Sequence, residues 1–418
     1  MKKFALIALA VLSLLSFASQ VRSQEYAPLV QKDTVSIVRF NLGALKADQL
    51  GDQVQKLGVA AVDFFVEDAE QAENAKQVLP IAKVFIAQYY AQYVQPLKNY
   101  GVKNIYLIVD ASDDDTKYPY LAIPTGNLTS DQLTKVRSFL TKLNQDLNKV
   151  VNYRFVRNNF LFIPFIPADW SDEDAKAYVR ENFTKLQTVD KPQFEEGFKA
   201  SGADSNIITT VTIPYVNEAK SASQIEELLA TLKDHLDEIE GISEDDFRSF
   251  LEQVSEINVT CSKLVKYTAA YINDANLELA TIVEGKTEDD AKRYQQLQEK
   301  DLTEDIVAFI QKIVTNVGGA QEINPETLND ANDIVDSAMK MVMKYDRQGS
   351  TITWKLNEKF FSDNKDTIAG IVEKVKGIAA RGDLSINVEG SEDSEDSEDS
   401  EDNADADGDV FDDNNDEM

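Results

Sequence analysis

The sequence predicts an α+β protein: two tandem copies of a β-α-α-β-β-α-β-β-α unit, with antiparallel sheets, helices packed on one face and a disordered acidic tail. Three observations predict it. Strand-like and amphipathic helical runs follow one another in one order, and that order occurs twice. A short tight hairpin falls late in each pass. After Val388 apolar residues all but vanish, and Ser, Glu, Asp and Asn take over, a composition that cannot build a core.

The chain opens with Lys2 and Lys3, an apolar run from Phe4 to about Phe17, and then the small residues Ala18, Ser19, Val21 and Ser23. A run this short, with positive residues before it and small ones after, reads as a cleaved Sec signal peptide over residues 1–23, not a membrane span. The expected location is therefore secreted or periplasmic. No later stretch reaches ~18 uninterrupted apolar residues, so no membrane span is expected.

The first copy occupies residues 24–187. Val35–Phe40 reads as a strand, and mostly helical sequence follows to about Tyr100. Strands over Asn104–Ala111 and Tyr118–Pro124 flank the acidic turn 112–115. Thr129 with Gln132 opens a helix as a capping box, with Leu133, Val136, Phe139, Leu140, Leu143 and Leu147 along one face. The hairpin Tyr153–Val156 and Phe160–Ile163 turns at Arg157-Asn158-Asn159, and Ser171 with Asp174 starts the next helix. A partly helical linker runs from about Gln187 to Asp204.

The second copy, residues 188–388, repeats the order. Ile207, Val211 and Ile213 mark a strand; a helix carries Ile225, Leu228, Leu229, Leu232, Leu236 and Ile239 on one face; and Ser243 with Asp246 begins another. Strands Leu264–Ile272 and Leu277–Glu284 precede the helix that Thr287 and Asp290 cap. A hairpin at Tyr345–Gly349 runs into Thr351–Leu356, and a last helix ends near Ala380. Thr129 to Thr287 spans 158 residues but Tyr153 to Tyr345 spans 192. The difference implies a helical insertion at about 320–343, begun by Pro325. Residues 389–418 form the tail.

Charge and rare residues exclude several chemistries. The chain holds 73 acidic and 42 basic residues, a net charge of −31, and 16 of the acids lie from Glu389 onward. Such a field repels phosphate backbones, so no nucleic acid is expected as a partner, whereas cations or basic proteins fit. Cys261 and His235 are each alone of their type, which removes intramolecular disulfides, histidine–cysteine zinc sites and histidine triads other than a single one. Cys261 reads as a buried thiol in a strand-like stretch. Tyr89, Tyr90 and Tyr93 with Phe85 lie at helical spacing and read as core or core-edge residues in preference to a stacking surface.

The tail carries the one recognisable ligand pattern. Asp405, Asp407 and Asp409 alternate around Gly408, and Asp412 follows. Alternating carboxylates with a turn glycine suit a hard cation, and the stretch resembles the Asp-rich calcium loops of thrombospondin type 3 repeats. Asn414 stands where an EF-hand loop wants a bidentate glutamate, so the expectation is weak Ca²⁺ association with these residues. No other cofactor is expected, and no catalytic residue can be named.

Pro192–Pro214, with its Gly202-Ala203-Asp204 ending before a β-rich run, and Tyr267–Lys300, with Glu284-Gly285-Lys286-Thr287 entering a helix, carry a wider likeness. They are similar to uncharacterised signal-peptide-bearing secreted proteins of planctomycete bacteria. The resemblance implies export and no particular activity.

These readings point to an exported, non-enzymatic binding or interaction protein of the cell envelope or exterior. The alternatives are a carboxylate-based envelope hydrolase acting on glycans and a calcium-associated surface or matrix protein.

Overall fold

The computed structural model describes residues 25–381, apart from residues 66–68, 112–116, 147–153, 168–169, 184–185, 202–205, 217–221, 224, 231–242, 274–277, 318–324, 343, 357–359 and 361–362. The expected signal peptide and the acidic tail lie outside the described residues.

β1 (Thr34–Asn41) is followed by two long helices, α1 (Ala47–Phe65) and α2 (Ala69–Tyr89), a π-helical turn at Tyr90–Val94 and the short α3 (Gln95–Asn99). β2 (Asn104–Asp110) and β3 (Tyr120–Pro124) lead to α4 (Ser130–Asp146), β4 (Phe155–Arg157), β5 (Phe160–Pro164) and α5 (Asp172–Phe183). Next come α6 (Pro192–Ala200), β6 (Asn206–Thr212), α7 (Glu244–Leu264), β7 (Val265–Asn273) and β8 (Leu279–Gly285). The last stretch holds α8 (Glu288–Gln296), α9 (Leu302–Val317), α10 (Pro325–Val342), β9 (Asp346–Gln348), β10 (Thr351–Leu356) and α11 (Lys365–Arg381). The fold class is α+β.

Local chemistry sets many of these boundaries. The Thr129 backbone N–H donates to Gln132 Oε1 at 2.8 Å while Thr129 Oγ1 accepts from the Gln132 N–H at 3.3 Å, the reciprocal cap that starts α4. Ser243 and Thr287 accept from the Asp246 and Asp290 amides, each at 3.1 Å, and begin α7 and α8. Asn158 and Asn159 hold φ of 47° and 63°, the left-handed values that a two-residue hairpin turn requires and that asparagine tolerates.

The ten strands of the described residues lie in one sheet, in the order β4-β5-β3-β2-β1-β6-β7-β8-β10-β9, and every pairing is antiparallel. Counted outward from the middle, the N-terminal half reads β1, β2, β3, β5, β4 and the C-terminal half reads β6, β7, β8, β10, β9. The halves meet where β1 pairs with β6, Ile37 opposite Val211, both fully buried.

Helices cover both faces of this sheet, which corrects the expectation of one. Successive strand residues point to opposite sides. Tyr120, Ala122 and Phe162 pack with Tyr178 and Phe183 of α5 and Phe194 and Phe198 of α6. Ile123, Leu161 and Ile163, from the other side of the same strands, pack with Val136 and Leu140 of α4. The unbroken apolar run Phe160–Ile163 is the cause: a strand apolar at every position needs cover on two sides.

The segment expected as a linker is also core. Pro192 opens α6 and fixes its first turn, and Phe194 and Phe198 are 0% and 2% exposed. Gly197 lets this helix lie on the sheet, since a Cβ there would sit 2.6 Å from Val211 Cγ1. Cys261, expected in a strand, is buried in the last turn of α7, and β7 begins at Val265 directly after the helix. Burial raises its thiol pKa, and Gln298 Nε2 lies 3.3 Å from the sulfur. α10 lies where a helix begun by Pro325 is expected and packs on α11, where Arg381 Nη2 pairs with Asp330 at 2.7 Å and Arg381 Nε donates to Thr327 at 2.8 Å. Arg381 is thus a structural clamp.

If α6 is core, opposite changes of volume both destabilise. Gly197→Ala, which inserts a methyl against Val211, is expected to cost about 1–3 kcal/mol, and Phe198→Ala, which opens a cavity, about 3–5 kcal/mol. Urea unfolding of the two variants checks this; midpoints equal to that of the parent would make α6 a surface linker after all.

Candidate ligand-binding groove

β4 is one outer strand of the sheet, and the groove along it is built from three elements. Asn158 and Asn159 turn β4 back onto β5, pairing Phe155 with Phe162 and Arg157 with Phe160. Alternation along β4 sends Phe155 and Arg157 to one side and Arg154 and Val156 to the other. α5 lies against the first side, and its residues Lys176, Val179, Arg180 and Phe183 form the facing wall.

The floor is apolar. Phe155 stacks on Phe162 with ring centroids 5.2 Å apart and meets Phe183 edge-on at 5.2 Å. The rim is cationic. Arg157 Nη1 donates to the Phe183 carbonyl at 2.6 Å, which ties the edge strand to the end of α5. Lys176 makes an exposed pair with Asp172 at 3.4 Å. Arg180 is exposed and has no salt-bridge partner among the described residues. Arg154, on the other side of the strand at the groove's edge, is half-buried, and its Nη1 has no hydrogen-bond partner among the described residues. Burial first, and the neighbouring Arg137 second, push its pKa below the ordinary guanidinium value. The groove encloses about 560 Å³, within the span of small-ligand sites. An apolar floor ringed by guanidinium and ammonium groups can hold an anion that carries an apolar tail; guanidinium is the side chain best matched to carboxylate and phosphate.

No reading of the sequence named these residues. The available signal was local charge. From Gln132 to Ala168 there are six Lys or Arg and one acid, Asp146, within a chain of net charge −31. Whole-chain charge hides that island.

The expected metal residues Asp405, Asp407, Asp409 and Asp412 lie outside the described residues. Among the described residues no cluster of His, Cys, Asp or Glu could hold a metal ion, and no helix is long and apolar enough to cross a membrane. Two described carboxylates have raised pKa values, and they sit in different halves. Asp305, at the start of α9, is raised by partial burial and by Asp301 and Glu304. Asp110, at the end of β2, is raised mainly by burial. Thr34 Oγ1 donates to Asp110 at 2.6 Å, Lys191 donates to the Thr34 carbonyl at 2.7 Å, and Lys117 pairs with Asp33 beside them. This partly buried network fastens the start of α6 to β1 and β2. The Tyr/Phe group of α2 departs from the core reading: Phe85 and Tyr89 are 54% and 61% exposed.

No protein-family model matches the chain, and no curated protein matches it. A solved structure titled "Structure of crystal form I of TP0453" aligns over 84% of this chain and 99% of that chain, at 8% identity and a TM-score of 0.27, a level at which nothing transfers.

Asp110 gives a pH signature with a definite sign. Its folded pKa lies above the unfolded value of ~3.9. The folded state therefore binds the proton more tightly, and this group adds stability as pH falls from neutral through its raised pKa. Asp110→Asn removes that dependence while keeping an oxygen for Thr34. Thermal melts should show the variant gaining on the parent most at pH 7, with the gain shrinking toward pH 4. A gain that grows toward pH 4 would mean that the charged form is favoured by the fold.

Proposed function

We propose that this is an exported, non-enzymatic binding protein whose β4 groove takes an anionic amphiphile, with a carboxylate or phosphate head and a short apolar tail. The observation that carries the reading is the groove itself: three cationic side chains, Arg157, Lys176 and Arg180, over a phenylalanine floor, in a chain whose charge is otherwise strongly negative. The head meets Arg157, Lys176 and Arg180, and the tail lies on Phe155, Val179 and Phe183. The surrounding negative field disfavours long polyanions such as nucleic acid, so a small anion fits better than a polymer.

The rest of the proposal concerns export and descent. The N-terminal Lys-Lys and apolar run support export, as does the likeness to secreted planctomycete proteins. The matching strand order of the two halves supports descent from one duplicated unit. The acidic tail, with Asp405, Asp407, Asp409 and Asp412, is proposed as a separate, weak contact for Ca²⁺ or basic proteins.

Titration calorimetry with dodecyl phosphate below its micelle concentration tests the groove, with dodecyl maltoside as the neutral control. The phosphate is expected to bind one per chain and to bind more weakly as salt rises. Lys176→Gln/Arg180→Gln, at two exposed positions, is expected to weaken binding by about tenfold or more. Equal binding of the neutral amphiphile, or a double variant that binds like the parent, would overturn the reading.

A further inference from the structure

α1 and α2 form an arm between β1 and β2, and among the described residues one side of α2 is apolar and uncovered. The two helices pack on each other: a Cβ at Gly58 of α1 would lie 2.6 Å from Leu79 Cδ2 of α2, and Lys83 pairs with Asp52. Among the described residues neither helix packs extensively against a strand. The base is fixed by Tyr90, whose hydroxyl donates to the Leu45 carbonyl at 3.1 Å, and by Lys98, whose ammonium donates to the same carbonyl at 2.8 Å.

Val78, Ile81, Val84, Phe85 and Tyr89 are 58%, 51%, 65%, 54% and 61% exposed, and they supply half of the exposed large apolar side chains among the described residues. Their spacing places them along one side of α2. Tyr89 is held in position by stacking on Tyr93, ring centroids 5.7 Å apart. A continuous stripe of this kind marks a contact surface, whereas scattered apolar residues do not.

We propose that this stripe docks on the same stripe of a second copy of the chain, the two α2 helices running antiparallel about a twofold axis. Charge selects the face. From Asn74 to Val109 there is no Asp or Glu and there are four Lys, at 76, 83, 98 and 103, while the whole chain carries −31. Two copies repel one another over most of their surfaces, and this segment is where they meet without opposed carboxylates. The stripe also matches itself. With a twofold axis near Lys83, Val78 of one copy faces Tyr89 of the other and Ile81 faces Phe85, so large rings meet smaller aliphatic groups. A C2 contact requires such self-complementarity. The area suffices: five half-exposed large side chains offer roughly 100 Å² each, and the flanking Pro80, Ala87 and Gln88 bring each copy toward the ~800 Å² of a standard interface.

Sedimentation equilibrium of the full chain from about 1 to 100 µM tests the pairing. The parent is expected to dimerise, and more tightly as salt rises from about 50 to 500 mM, because salt screens the repulsion between acidic copies and leaves the apolar contact intact. Val84→Glu/Phe85→Glu is expected to be monomeric throughout, a loss of about a hundredfold or more. Circular dichroism should show it folded, since both positions are exposed. Should the charged pair fail to fold, Val84→Asn/Phe85→Gln replaces it, with monomer again expected. Val375→Glu, at a 50% exposed position on α11, is expected to stay dimeric. A parent that is monomeric over the whole range overturns the proposal, as does a folded stripe variant that still dimerises. So does a monomeric parent that floats with phosphatidylcholine vesicles and loses flotation in the stripe variant, because the occupant would then be lipid.

Discussion

The pairing of β1 with β6 is the constraint on which the rest depends. It joins residues some 170 positions apart in sequence, Ser36 with Thr212 and Ile37 with Val211, and the two facing hydroxyls share a hydrogen bond at 2.9 Å. Each of these strands has its other edge taken, by β2 and by β7. Without this contact the chain would be two five-stranded sheets, each with a long unpaired edge, a state prone to aggregation. α6 secures the junction. Phe194 and Phe198 share a core with Ile37, Tyr106, Val211 and Tyr267, and Lys191, one residue before the helix, reaches the Thr34 carbonyl. A nine-residue helix thus closes a contact of long sequence separation, whose loop entropy must be overcome before any gain is realised.

The elements legible in the sequence were those with local chemical causes. Capping pairs at Thr129, Ser243 and Thr287, the Asn158-Asn159 turn and Pro325 act within three or four residues, and each falls where the pattern put it, except that Arg157, expected in the turn, ends β4. What escaped depends on distant partners. α6 looks like a linker because nine residues with a proline and a glycine are short of an independent helix; only the sheet beneath explains Gly197. Cys261 reads as strand because the Val259–Thr260 pair is β-prone and α7 passes into β7 without a breaking residue. Phe85 and Tyr89 read as core because hydrophobicity alone does not reveal that an arm stands off the sheet. The groove escaped because its cations come from β4 and from α5, 19 and 23 residues apart for Arg157 with Lys176 and Arg180, and meet only when the hairpin folds onto the helix.

Placement of charge links this architecture to the proposed functions. A strongly acidic chain stays soluble and rejects most encounters. Contacts of use to it must then lie where the acidity is interrupted, and two such places stand out in the described residues. One is the cationic edge at β4, the other the acid-free side of the α2 arm. They belong to the same half of the sheet but to different elements, so a ligand at the edge and a partner at the arm need not compete. The C-terminal half has its own edge hairpin at β9 and β10, and β9 carries Asp346, Arg347 and Gln348 where β4 carries Phe155, Val156 and Arg157. Equivalent positions in the strand order therefore carry different chemistry.

Hydrogen exchange resolved to single amides tests the continuous sheet most directly. Amides of residues 37–40 in β1 and 208–211 in β6 should be among the slowest in the protein and should open only with global unfolding. Exchange at those residues as fast as at the outer strands β4 and β9, or two separable unfolding units divided between β1 and β6, would contradict a single sheet built across that junction.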